Sequence, residues 1–120
     1  MKNLESKLQE SCVKWFDYSY PKYKHLFFAI PNGGARNIIT GAILKRQGVR
    51  KGIPDMFLAV FCRSCSGINW GGLFIEFKTD KGKLTAEQEV FFHTSVLQNF
   101  KCVVIRDFDS FKELMEKYLP

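Results

Sequence analysis

The sequence predicts a single α/β domain: a mixed central β-sheet flanked by helices, with an antiparallel hairpin at its centre carrying the candidate chemistry. Three observations lead there. Segments with apolar residues at helical spacing alternate with short apolar runs, in the order helix, strand, helix, strand, strand, helix, strand, helix. The two adjacent strands are joined by about ten residues, too few for the helical crossover that a parallel pair requires, so they form a hairpin. Finally, the 120 residues, 46% hydrophobic and with twelve Phe, supply one core of ordinary domain size. No internal repeat, low-complexity run or second domain interrupts them.

The first helix covers residues 4–18, where Leu4, Leu8, Cys12, Trp15 and Phe16 make an inward stripe, with Glu5 and Gln9 one turn apart on its flank. Pro21 ends it. A buried strand follows at 25–30, stopped by Pro31-Asn32-Gly33-Gly34. Residues 36–47 form a second helix with Ile38, Ile39, Ala42 and Ile43 on one face. Lys45 and Arg46 suit its negative end, and Gly48 terminates it. The hairpin strands run over 55–61 and 72–79. A register that sets Asp55 opposite Glu76, and Phe61 opposite Trp70, puts both carboxylates on one face; other registers are open to the sequence. Asp80-Lys81-Gly82-Lys83 is a polar turn, and Thr85-Ala86-Glu87-Gln88 starts a helix that can reach Phe100. A strand at 101–106 and a helix at 107–119, with Phe111, Leu114, Met115 and Leu119 inward, complete the chain.

Charge is distributed unevenly. The formal balance is +6, and no acidic residue occurs between Asp17 and Asp55. That interval holds Lys22, Lys24, Arg36, Lys45, Arg46, Arg50 and Lys51. A solvated basic surface explains the pattern, and so does a phosphate-contacting face leading to Asp55. Cys62 and Cys65 form a CxxC without a second one or a histidine pair, so loop or half-buried thiols are expected in place of a zinc site. His25 and His93 are not spaced as ligands, and His93 belongs on the outer side of its helix. No signal peptide or membrane span is legible, which suggests a cytoplasmic protein with reduced thiols.

The chemistry concentrates between residues 52 and 88. Asp55 follows Gly52-Ile53-Pro54 at the mouth of an apolar run, and Glu76 and Lys78 interrupt the next one. Alternation points Glu76 and Lys78 the same way and Phe77 oppositely. Taken singly, Asp55 could close a turn, and Glu76 with Lys78 could be a solvent-facing charge pair. Together they offer hard oxygen ligands for Mg²⁺ or Mn²⁺ and a cation for a phosphoryl group.

These motifs, with Gly82-Lys83-Leu84-Thr85, Gln88, Pro31-Asn32-Gly33-Gly34 and Lys45-Arg46-Gln47-Gly48, resemble the VRR-NUC (virus-type replication-repair nuclease) domain. That domain is a branch of the PD-(D/E)xK nuclease superfamily, and the resemblance covers nearly the whole chain. It implies a restriction-endonuclease-like core that hydrolyses DNA phosphodiesters with Mg²⁺ or Mn²⁺. By resemblance Asp55 and Glu76 are metal ligands, joined by the Phe77 backbone carbonyl, and Lys78 is the catalytic lysine. Glu5, four residues before Gln9, matches the family's first-helix glutamate, although Glu10 shares that helix. Gln88 matches the glutamine behind the catalytic hairpin, and its distance from Thr85 also fits a capping box.

For partners, the resemblance implies DNA, branched or junction-like, and a homodimer presenting two sites, as in short phage or bacterial members acting in a bacterial or phage-infected cytoplasm. Arg36, Lys45, Arg46, Arg50, Lys51 and Lys83 are the candidate phosphate contacts. A non-catalytic nucleic-acid-binding module on the same fold would be favoured by a missing Asp, Glu or Lys, and none is missing.

Overall fold

The computed structural model describes residues 2–31, 38–63 and 67–120, so Arg36, Cys65 and the turn at 32–34 lie outside the described residues. Four strands form one sheet: β1 (Phe27–Ala29), β2 (Met56–Leu58), β5 (Gly72–Phe77) and β6 (Phe100–Ile105), in the order β1-β2-β5-β6. Its β1–β2 and β2–β5 pairs are antiparallel, and β5–β6 is parallel. The parallel pair is possible because α3 (Ala86–Leu97) makes the crossover between its strands. Beyond the sheet, β3 (Cys62–Arg63) and β4 (Asn69–Trp70) pair as a two-stranded tip.

Alternation divides the sheet into two unlike faces. Phe27, Met56, Leu58, Leu73, Ile75, Phe77 and Ile105 point to one face. There they form a single buried cluster with Cys12 and Phe16 of α1 (Lys2–Ser19) and with Phe111 and Met115 of α4 (Phe108–Tyr118). Each such side chain contributes about 1.5–3 kcal/mol by leaving water. The other face carries a line of aromatic rings. Phe28 meets Phe57, Phe57 meets Phe74, and Phe74 meets Phe91 of α3, at centroid distances of 6.0, 4.4 and 4.9 Å. Gly72 is required on that face, because a Cβ there would lie 2.5 Å from the Phe57 ring.

Several sequence expectations shift. His25 falls in a 3₁₀ turn (Pro21–Leu26), leaving a strand of Phe27–Ala29 only. The expected strand 55–61 breaks after Leu58, and the partner strand 72–79 ends at Phe77. Met56 pairs with Ile75, which leaves Asp55 next to Glu76 at the ladder's end, as the register proposed. Trp70, however, pairs with Cys62 and not with Phe61. One extra residue between Leu58 and Cys62 bulges the strand, keeping Cys62 buried while Phe61 is 53% exposed. The third helix stops at Leu97 because Asn99 takes a left-handed φ of 65° and turns the chain into β6.

On α1 the stripe is buried at Cys12 and Phe16, partly buried at Leu8 and Trp15, and open at Leu4. On α4 the expected inward set holds at Phe111, Met115 and Leu119; Leu114 is only partly buried, and Tyr118 replaces it in the core. The second helix, α2 (Ile38–Arg46), leaves Ala42 and Ile43 exposed, so the face expected to be inward is not covered there. No helix among the described residues is long and apolar enough to cross a membrane.

Candidate active site

The site forms where β5 outruns β2. Past the Met56–Ile75 pair, the next β5 amides have no β2 backbone opposite them, and carboxylates take that place. The Phe77 amide donates to Asp55 Oδ2 at 2.7 Å, and the Thr79 amide donates to Glu5 Oε2 at 3.3 Å. Between them, the Lys78 amide donates the other way, to the Ile105 carbonyl at 3.1 Å. Glu5 thus reaches round the strand end from α1, on the opposite side of the sheet. Glu10 does not approach the site; its carboxylate accepts from Ser6 Oγ on the exposed flank.

Glu76 is the centre of the cluster and only 5% exposed. Its Oε2 accepts from Gln88 Nε2 at 3.0 Å and lies 3.5 Å from Lys78 Nζ. Gln88 also completes the capping box of α3: its Oε1 accepts from the Thr85 amide at 2.9 Å, and its amide donates to Thr85 Oγ1 at 3.2 Å. Capping and site support therefore coexist in one side chain. The turn before Pro54 is fitted to this helix start: Gly52 has φ +82°, and a Cβ on it would lie 2.6 Å from Glu87 Cβ. Glycine is required there twice over, by conformation and by space.

Lys78 offsets only part of the negative charge at the site. Burial, with Asp55 and Glu5 adding repulsion, pushes the Glu76 carboxyl up to about 7 against the opposing pull of Lys78. Asp55 is also raised, first by burial and then by Glu5, while the Phe77 amide and Lys78 oppose the rise. Glu76 Oε1 is buried and has no hydrogen-bond partner among the described residues. An orphaned carboxylate oxygen beside two further carboxylates fits a hard divalent cation, since one would supply the missing positive charge. Among the described residues no three such side chains already close into a metal cage. One or two of the carboxylates would hold the ion, and water and phosphate oxygens would complete its shell.

The described phosphate-contact candidates lie on the surface. Lys45, Arg46, Arg50, Lys51 and Lys83 are all exposed. Lys45, Arg50 and Lys51 line one concavity with Gly41 and Val49, and Lys51 also faces the start of α3 near Ala86 and Glu87. His93 is exposed, and burial pushes the Cys12 thiol up to about 12 and Cys102 to about 11, so these thiols are inert at neutral pH.

Comparison with known proteins gives the ordered motifs a family. Residues 1–107 match the profile of the VRR-NUC domain. The chain belongs to the VRR-NUC family. A solved structure titled "VRR_NUC domain protein" has a TM-score of 0.77 and 21% identity, covering 96% of this chain and 87% of that one. At that identity the likeness speaks for the fold, and the mixed sheet flanked by helices is accordingly a nuclease-type VRR-NUC fold. No curated protein matches this chain.

One neighbour of the VRR-NUC site was not singled out by any motif. Arg106, just beyond β6, donates from Nη1 to the carbonyls of Thr79 at 2.6 Å and Gly82 at 2.7 Å. The parallel register, Phe77 with Ile105, places it beside Lys78. An arginine closing a strand that follows the Glu76 strand through one helix, the connection a parallel neighbour requires, is the signal that could have found it.

Proposed function

We propose that this VRR-NUC domain is a Mg²⁺- or Mn²⁺-dependent endonuclease that hydrolyses DNA phosphodiester bonds. Its preferred substrate in this reading is branched DNA, a Holliday junction or a flap, and a homodimer would offer two sites to it. The observation that carries the reading is the buried, partnerless Oε1 of Glu76 at a strand end shared with Asp55, Lys78 and Glu5. Evolutionarily cheaper side chains would pack there; a desolvated carboxylate cluster costs stability and makes sense where a cation is bound.

In this mechanism Asp55, Glu76 and the Phe77 carbonyl would hold the metal, with Glu5 completing the acidic set. The bound ion supplies a more acidic water and charge stabilisation at the phosphate. Lys78, held 3.5 Å from Glu76, orients the attacking water and balances negative charge growing on the phosphoryl oxygens. Gln88 fixes the carboxylate plane of Glu76 by its 3.0 Å hydrogen bond. Lys45, Arg46, Arg50, Lys51 and Lys83 take up backbone phosphates without reading bases, so selectivity comes from DNA shape.

The test is cleavage of junction, flap, single-stranded and linear duplex DNA with Mg²⁺, Mn²⁺ or EDTA. The parent should cut branched DNA only with metal. Asp55→Ala and Lys78→Ala should each lose on the order of 10³-fold or more in rate while keeping the parent's circular dichroism. Cleavage by Asp55→Ala at the parent's rate sinks the assignment.

A further inference from the structure

The catalytic strand is pinned peptide by peptide until it reaches the Thr79–Gly82 turn. Asp55 holds the amide of Phe77, the Ile105 carbonyl holds that of Lys78, and Glu5 holds that of Thr79. The next peptide is held through its carbonyl, and the holder is Arg106. One guanidinium nitrogen reaches the carbonyls of Thr79 and Gly82 at 2.6 and 2.7 Å and approaches that of Asp80 at 3.4 Å. The Gly82 amide closes the same turn on the Thr79 carbonyl at 3.1 Å.

We infer that Arg106 is a positioning residue for Lys78, acting through the Thr79–Gly82 turn; the inference rests on the nuclease reading above. Thr79 is gripped from both sides, its amide by Glu5 and its carbonyl by Arg106. Releasing the carbonyl frees the Thr79–Asp80 peptide to rotate, and that freedom reaches the preceding peptide, whose amide donates to Glu5, through the Thr79 Cα that the two share. Lys78 loses the anchor on its C-terminal side, and the hydrogen bond to Ile105 on its other side does not fix its Cα alone. A rigid planar donor suits this task better than an ammonium, because converging carbonyls at 2.6–2.7 Å need hydrogens held in fixed directions. The effect is on placement of the lysine and of Glu5, so it should enter the rate at saturating DNA and leave DNA affinity nearly untouched.

Two readouts test it together: steady-state cleavage of a synthetic four-way junction with Mn²⁺, and exchange of the Thr79 amide followed by NMR in metal-free protein. For Arg106→Ala the expected result is a kcat about 10–100-fold lower with KM within about threefold, the size usual for removing a group that orients a metal-site residue. Thr79 exchange should quicken while core amides such as Ile75 keep the parent's protection. Arg106→Lys should fall between parent and Ala, and millimolar methylguanidinium should restore part of the Ala variant's rate. A raised KM with unchanged kcat would make Arg106 a phosphate contact and overturn the inference. So would a kcat within twofold of the parent together with unchanged Thr79 exchange. If Arg106→Ala does not fold, the same readouts on Arg106→Lys decide. A parent that cuts no DNA sinks the nuclease reading instead, and Thr79 exchange still reports on the clamp.

Discussion

The two faces of β5 are made from neighbouring residues and do opposite things. Leu73, Ile75 and Phe77 point at α1 and α4 and are 0–1% exposed, in an apolar cluster where the Tyr118 hydroxyl is satisfied by the Val60 carbonyl at 2.7 Å. Phe74, Glu76 and Lys78 point the other way, where α3 gives partial cover. That face holds two acids with raised proton affinity, Glu76 buried and Asp55 half-buried, and a set of rings that stay partly open, Phe28 at 46% exposure. One face is stable because it is dry and close-packed. The other accepts a cost in stability to keep charge out of water, and it can do so because the first face holds the strand in place.

The largest effect expected from this division is a difference between two phenylalanines three residues apart. Phe77→Ala removes a ring from the closed face, where neighbours cannot collapse into the space, and should cost about 3–5 kcal/mol. Phe74→Ala removes a ring of the same size from the half-open face and should cost about half as much, since less surface was taken from water. Urea unfolding at pH 6 measures both. Equal losses would mean that the α3 face is as tightly packed as the other and would break the comparison.

The next effect is electrostatic and has a definite sign. Glu76 is raised from the ordinary 4.5 to about 7, so the folded protein holds a proton that the unfolded chain has released. Stability from this group is fully present below about pH 4.5 and is lost as pH rises toward 7. The loss is at most about 3 kcal/mol. Metal-free protein in EDTA should therefore melt at a lower temperature at pH 8 than at pH 5.5, and Glu76→Gln should remove most of that difference. Mn²⁺ should raise the parent's melting temperature more at pH 8, where the carboxylate is ionised, and should do little for Glu76→Gln. A parent whose melting point is flat across this range in EDTA would show that Glu76 is not held at a cost.

Much of this arrangement was legible from spacing. Asp55 and Glu76 had only to be paired across a short hairpin, and the Thr85–Gln88 box was visible as a three-residue interval. What escaped shows where one-dimensional patterns stop. Phe61 and Cys62 compete for the place opposite Trp70, and the choice depends on a bulge that leaves the inward–outward alternation of Leu58, Val60 and Cys62 unchanged. His25 reads as strand because its neighbours are apolar, yet a 3₁₀ turn opened by Pro21 uses it instead. Glu5 and Glu10 sit on the same helix, about 140° apart around it, and only the packing of α1 against the end of β5 shows which of them reaches the site. Arg106 looks like any surface cation until the parallel register sets it beside Lys78.

Gln88 gives the smallest effect and the sharpest division, because it serves stability and chemistry from one amide. Its Oε1 closes the capping box and its Nε2 holds Glu76. Gln88→Ala removes both contacts and should cost about 1 kcal/mol of stability, the usual worth of a cap. Gln88→Glu keeps an acceptor for the Thr85 amide and an acid in the first turn of α3, where the dipole favours it. Helix stability should then be close to the parent's, but the donor to Glu76 is gone and a second carboxylate faces it. If orientation of Glu76 matters, both variants should cleave about 10–100-fold more slowly, Glu at nearly the parent's melting temperature and Ala below it. If Gln88→Glu cleaves like the parent, the glutamine is a cap alone, and the α3 face contributes less to the site than its geometry suggests.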